Sequence, residues 1–241
     1  MSPRWSELMN SNENLFDVTG KTVFVTGASS GIGRSAATCL AISGARVVGI
    51  ARREEKLKEW SKNTKGETSY FSADISNRNQ ITSIVDEIVK IEGHPDILIN
   101  AAGLNTREHA DDVTIEGWDK TLDLNLSTPF FMAQAVVEEM KKRKWGRIIN
   151  YASLTSRRAL PSSIAYGASK GGVEQLTRSM AEAWSPFGIN VNAIAPGFFP
   201  TELTVPVFND KERTLRNANQ TCIGRNGKLE DLDGPLLFLC S

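Results

Sequence analysis

Lys21–Gly33 reads KTVFVTGASSGIG: a β-branched and apolar run that breaks at Gly27, passes Ala28, Ser29 and Ser30, and resumes at Gly31, Ile32 and Gly33. Its first part, Lys21–Thr26, has the make-up of a buried parallel strand. The stretch that follows, Gly31–Ser43, spaces its apolar residues as a helix does. A strand that turns through glycines straight into a helix leaves free backbone N–H groups and the positive end of the helix dipole at the turn, which is a seat for phosphate. The spacing is GxxxGxG rather than GxGxxG, so the usual dinucleotide fingerprint is not met letter for letter. The strand before and the helix after argue for a ligand over a plain glycine turn.

The same alternation continues outward. Arg46–Ile50, Thr68–Ala73, Asp96–Asn100, Arg147–Asn150 and Asn190–Ile194 read as further buried parallel strands. Between them Glu54–Asn63, Asn77–Ile91, Asp111–Lys144 and Ser163–Ser185 read as helices, the third of them long and interrupted by Pro129, hence two helices or a kinked one. Six strands alternating with helices imply an α/β fold: a doubly wound, Rossmann-like parallel sheet with helices on both faces, in a single domain over 1–241. Residues 1–15 are expected to be a loosely ordered extension. In such a sheet ligands sit beyond the carboxyl ends of the strands, so the residues after each strand carry the chemistry.

Composition excludes several alternatives. Lys plus Arg and Asp plus Glu number 28 each, so no excess charge points to nucleic acid or to an anionic membrane. Cys39, Cys222 and Cys240 are odd in number and form no CxxC pair, which fits a reducing compartment. His94 and His109 lack partners at metal-ligand spacing, so no metal site is expected. With no apolar signal core and no long apolar run, the cytoplasm is the expected location, and the expected partner is a small-molecule substrate.

About 20 residues beyond a NAD-type loop an acid normally grips the ribose 2′-hydroxyl. Here the second strand runs into Ala51-Arg52-Arg53, with no acid before Glu54. An arginine in that place pairs instead with a 2′-phosphate, which selects NADP(H). Arg52 is the better placed; Arg53 is balanced between that contact and a solvated helix start, because Glu54 and Lys58 make an i,i+4 pair beside it.

Taken in order, Thr26–Gly33, Asp74, Asn100–Gly103 (NAAG), Asn125, Ser153, Tyr166-Gly167-Ala168-Ser169-Lys170 and Pro196-Gly197 resemble the short-chain dehydrogenase/reductase family, from about Phe16 to the last residue. The resemblance implies a catalytic tetrad of Asn125, Ser153, Tyr166 and Lys170. It implies a cofactor site drawn from Gly27, Ser29, Ser30, Gly31, Ile32, Gly33, Arg52, Arg53, Asp74, Ile75, Asn100, Ala101, Gly103, Tyr166, Lys170, Pro196, Gly197, Phe199 and Thr201, with Asp74 at the adenine and the Pro196–Thr201 loop at the nicotinamide. It also implies a homo-oligomer, a tetramer or dimer. Ala101 stands where the family usually has a second Asn, and Phe238–Ser241 lies where the family continues into a last strand, which is expected to be missing here. Within the family, Ala102–Glu108, Leu124–Ala135 and Asn192–Gly197 are most similar to the branch of gluconate 5-dehydrogenases and 2-deoxygluconate 3-dehydrogenases.

Tyr166 and Lys170 stand four apart on an expected helix, hence on one face. A free tyrosine has a pKa of about 10, and a lysine ammonium beside it, with oxidised nicotinamide, is expected to lower it. Ser153 would hold the substrate oxygen, and Asn125 would anchor a water leading from Lys170 to solvent. Arg107, and Arg157 with Arg158, follow strands that bear site residues and are candidates for a substrate carboxylate, against the alternative that they pair with Glu108, Asp111 or solvent. Glu202–Asn219 reads as a mobile lid. The expected activity is interconversion of a secondary alcohol and a ketone, with a sugar acid as the leading substrate. A 3-oxoacyl-thioester reductase, a general carbonyl reductase, and a non-catalytic NADPH-binding scaffold or sensor are the alternatives.

Overall fold

Strand β1, Thr22–Thr26, is buried along its whole length and lies at the centre of the sheet. The computed structural model describes residues 15–241; the expected N-terminal extension, apart from Leu15, lies outside them. The other strands are β2 (Arg46–Ala51), β3 (Glu67–Ser72), β4 (Ile97–Asn100), β5 (Gly146–Tyr151) and β6 (Ile189–Ile194). All pairings are parallel, in the order β3-β2-β1-β4-β5-β6. Order reverses between β1 and β4, and a crevice opens there beyond the strand ends.

Alternation along the strands divides the core in two. Val23 and Val25, Ile97 and Ile99, and Ile149 and Tyr151 face helices α1 (Gly31–Ile42), α2 (Glu54–Asn63) and α9 (Asp233–Cys240). Phe24, Leu98 and Ile148 face α3 (Ile81–Glu92), α5 (Thr128–Arg143) and α6 (Ile164–Trp184). α1 lies close to the sheet because Ala36, Ala37 and Ala41 fill its buried face. Among the described residues no helix is long and apolar enough to cross a membrane.

Three expectations gain detail. β3 is only half-buried, because it is an edge strand with one neighbour. The long stretch with Pro129 is α4 (Ile115–Leu122), a π-helical turn over Asp123–Ser127, and α5. Pro129 falls at the start of α5, directly after the π-helical turn. The expected lid contains structure of its own: a 3₁₀ turn at Glu202–Thr204, α7 (Val205–Phe208) and α8 (Lys211–Asn219), the last capped by Asp210, which accepts from Arg213 N at 2.9 Å. Among the described residues no strand follows β6; α9 packs against α1, β5 and β6 instead.

Candidate active site

The turn after β1 is shaped by contacts that only glycine permits. Gly27 (φ +74°) and Gly31 (φ +56°) take left-handed backbone conformations. A Cβ on Gly33 would stand 2.4 Å from the carbonyl oxygen of Gly27. Thr26 Oγ1 accepts from Ala101 N at 3.1 Å and Ala102 N at 3.2 Å, tying this turn to the end of β4.

One cleft runs along these strand ends, and most of the expected residues line it. At the end nearest β2 and β3 are Gly27, Ser29, Ser30, Gly31, Ile32, Gly33, Arg52, Arg53, Asp74 and Ile75; Ala101 and Gly103 form its middle; Ser153, Tyr166, Lys170, Pro196, Gly197, Phe199 and Thr201 close the other end. Tyr151, which the sequence did not single out, also lines it, as do Glu202, Leu203 and Thr204 from the start of the expected lid.

Asn100 does not belong to the lining. Its side chain is buried beneath the sheet end, where Nδ2 donates to Asn150 Oδ1 at 2.9 Å and to the Pro129 carbonyl at 3.3 Å, so it supports the loop rather than a cofactor. Arg157 and Arg158 also turn elsewhere. Arg157 Nε bonds Glu174 Oε2 at 3.0 Å and Arg158 Nη2 bonds Gln220 Oε1 at 2.7 Å, because the short helical turn after Ser153 carries both away from the cleft. Arg107 stays at the rim. It takes a left-handed φ of +59°, its N–H donates to Asn105 Oδ1 at 3.0 Å, and its guanidinium donates to the Leu203 carbonyl. A non-glycine residue held in that conformation is a mark of a constrained site. Burial, and then the Arg213 cation on α8, lower the Arg107 pKa, while the Tyr166 side acts to raise it.

At the opposite end of the cleft, Ser153 Oγ accepts from Thr155 N at 3.2 Å and Thr155 Oγ1 at 3.0 Å, which leaves its own proton to donate. Lys170 is buried and donates to the Tyr151 carbonyl at 2.6 Å. Desolvation pulls its pKa down to about 8. The expectation that Lys170 depresses the Tyr166 pKa is not met in the protein alone. Desolvation raises Tyr166, outweighing the opposing Ser153 bond and Arg107 charge, and the phenol is neutral at pH 7. The reason is geometric: Lys170 Nζ lies 5.8 Å from the Tyr166 ring centre and gives a proton to a carbonyl instead.

Asn125 is fully buried in the π-helical turn, as wide turns often are beside functional sites. Its Nδ2 donates to the Leu104 carbonyl at 2.8 Å and to Ser169 Oγ at 3.1 Å, and its Oδ1 accepts from Leu104 N at 2.9 Å. It thereby pins the loop after β4 to α6. A Cβ on Gly103 would lie 3.2 Å from Asn125 Oδ1 and 3.7 Å from Lys170 Nζ, so all three meet at one point.

At the end nearest β2 and β3, Arg52 Nη1 pairs loosely with Asp74 Oδ2 at 3.8 Å. Arg53 turns onto the glycine loop: Nη2 donates to Ser29 Oγ at 2.9 Å and Ser30 Oγ at 2.6 Å. Asp74 Oδ1 accepts from Ser76 N at 3.0 Å. Burial works to raise the Asp74 pKa, but the Ser76 bonds and the Arg52 charge leave it lowered overall. Among the described residues, no group of three or more His, Cys, Asp or Glu gathers as a metal site.

A family model described as short chain dehydrogenase matches residues 21–212. The chain is 36% identical over 234 residues to gluconate 5-dehydrogenase of Gluconobacter oxydans, covering 96% of this chain and 91% of that one. It is 40% identical over 231 residues to the NAD-dependent glycerol dehydrogenase of Listeria innocua, covering 94% and 89%. It is also similar to the crystal structure of a gluconate 5-dehydrogenase from Burkholderia cenocepacia in complex with NADP and tartrate, with TM-score 0.86, 34% identity, and coverage of 94% and 90%. With the sheet order, the glycine turn and the Ser153–Tyr166–Lys170 cluster already in place, the match is one of architecture and chemistry alike, and the chain belongs to the short chain dehydrogenase family.

Proposed function

We propose that this protein is an NADP(H)-dependent oxidoreductase that interconverts a secondary alcohol and a ketone, with a sugar acid or similar anionic hydroxy compound as substrate. The observation that carries the proposal is the gathering of Ser153 and Tyr166 at one end of the cleft, with Lys170 buried beside them.

The groups present suit a phosphorylated dinucleotide. The turn at Gly27–Gly33 offers backbone N–H groups at the start of α1 for the pyrophosphate, and its glycines leave no Cβ in the way. Arg52 and Arg53, with Ser29 and Ser30, form a donor set for the 2′-phosphate. Asp74 would meet the adenine, and the Pro196–Thr201 loop the nicotinamide end. When bound, such a cofactor supplies the hydride chemistry.

The chain's own residues supply the proton chemistry. Ser153 Oγ is held by Thr155 so that its proton points to the reacting oxygen. Tyr166, neutral at pH 7, donates the proton that turns the reduced carbonyl into an alcohol, and recovers one in the opposite direction. Lys170, with a pKa of about 8, stays mostly protonated at neutral pH and keeps a positive charge behind the cleft wall. Asn125 positions both by joining the β4 loop to α6. The proposal extends to a homo-oligomer, dimer or tetramer, in the cytoplasm, where the free thiols of Cys39, Cys222 and Cys240 suit a reducing compartment.

Turnover with NADPH or NADH against keto sugar acids, neutral ketones and 3-oxoacyl thioesters tests this reading. The expected result is the highest kcat/KM with NADPH and a keto sugar acid. No turnover of any carbonyl compound, or a clear lead for thioesters, would overturn it.

Arg107 is the proposed anion reader, with Arg213 beside it. Arg213 makes no ion pair among the described residues. Arg107→Lys keeps the charge but loses the planar fork. KM for an anionic substrate should rise roughly tenfold, the cost of one charge-assisted hydrogen bond, with kcat and KM for neutral ketones nearly unchanged. Equal changes on charged and neutral substrates would remove Arg107 from substrate reading.

A further inference from the structure

Glu202 opens the short turn after the Pro196–Thr201 loop, and its carboxylate reaches the end of the cleft nearest β2. Arg53 Nη1 donates to its Oε2 at 2.6 Å, and Lys56 Nζ donates to its Oε1. The same Arg53 binds Ser29 Oγ and Ser30 Oγ of the glycine turn. Two cations and a pair of hydroxyls gathered around one carboxylate, at the carboxyl end of β2, form the donor set that a phosphate monoester would use there. The Lys56 and then the Arg53 bonds hold the Glu202 carboxyl at about 2, so it is an anion at any physiological pH.

The turn that bears Glu202 is held at two points. Glu202 fastens it to Arg53 and Lys56, while the carbonyl of Leu203, the next residue, accepts from Arg107 at the substrate rim. Thr201 contacts the glycine loop from the same turn: a Cβ on Gly31 would stand 3.2 Å from its Cβ. An anion entering between Arg53 and Ser30 therefore meets a carboxylate already there. Two anions on one guanidinium repel, and Glu202 is half exposed, so it has solvent to move into.

We propose that Glu202 is a built-in competitor for the 2′-phosphate: it occupies Arg53 and Lys56 in the free protein, leaves when the phosphate enters, and so sets how strongly the protein prefers NADPH over NADH. The inference rests on the reading that Arg53 meets the 2′-phosphate. NADH, lacking that group, leaves the Glu202 contacts in place, and NADPH loosens the turn by removing one of its two anchors.

The test is equilibrium binding of NADPH, NADH, 2′-AMP and 5′-AMP to the wild type and to Glu202→Gln, by calorimetry. Glutamine keeps the size of the side chain and removes the charge. NADPH and 2′-AMP should bind about three- to tenfold more tightly to the variant, as expected for removing a partly exposed ion-pair competitor, with NADH and 5′-AMP within twofold. Glu202→Ala, which removes the competing group altogether, should reproduce the gain. If NADPH is preferred but equally so in the wild type and both variants, the competition is refuted and the NADP(H) reading stands. If no protein binds NADPH better than NADH, both readings fall. Equal weakening of all four ligands refutes the competition too, and assigns Glu202 to holding the loop.

Discussion

Tyr166→Phe should lower turnover by about 10²–10⁴-fold, the usual contribution of a positioned proton donor. Only the hydroxyl is removed. The ring keeps its place on α6, and the cofactor end formed by the glycine turn is untouched. NADPH affinity should therefore change by less than about threefold, since only one hydroxyl, at the far end of the cleft from the glycine turn, is removed. Folding stability should fall by only about 1 kcal/mol for the same reason. Steady-state kinetics beside a cofactor fluorescence titration separate the two effects. A variant that kept more than about a tenth of the wild-type rate would show that the proton comes from another group.

Gly33→Ala should abolish cofactor binding at working concentrations and destabilise the fold. The added methyl would sit 2.4 Å from the Gly27 oxygen and 2.7 Å from its carbonyl carbon. Both are backbone atoms, so no side chain can swing aside, and α1 must move away from the turn. Overpacking of this kind costs about 1–3 kcal/mol, and the shift carries the N–H groups of the turn out of reach of a pyrophosphate. Gly234→Ala is the matched comparison. It lies in α9, where a Cβ meets nothing within 4 Å, so it should raise stability by roughly 0.5–1 kcal/mol. Thermal melts with and without NADPH measure both. Similar melting curves for the two variants would mean that the close approach at Gly33 has little weight.

The layout of this fold was readable because its strands are short, apolar and regularly separated by amphipathic helices, and the glycine turn sits at the head of that pattern. Position along the chain could not say which strand would be the edge, so β3 appeared as buried as its neighbours. The π-helical turn was hidden for a related reason. A one-residue widening changes no period that a sequence displays, and Pro129 marked only that some break lay near it. Asn100 lies at the end of β4 beside the cleft, but its side chain points below that end, a direction that a motif does not encode. Arg157 and Arg158 fail similarly, since the turn after Ser153 sends them to Glu174 and Gln220. Glu202 could not be found at all from the sequence. Its partners Arg53 and Lys56 lie nearly 150 positions away, at a separation of 149 for Arg53.

The buried amides beneath the cleft bear on how this protein can be altered. Asn100 on β4 donates to Asn150 on β5 at 2.9 Å, Asn150 donates to Thr177 on α6 at 2.9 Å, and Thr177 donates onward to the Val173 carbonyl at 2.7 Å. Asn150 and Thr177 each both accept and donate, while Asn100 only donates, so replacing any one of the three leaves a neighbour's polar group stranded away from water. A laboratory evolution campaign that changes one position at a time would meet a barrier at each of the three, whereas a library varying them together would offer routes across it. Such a library reaches the helix that carries Tyr166 and Lys170 without touching either, and is a way to retune their placement from below.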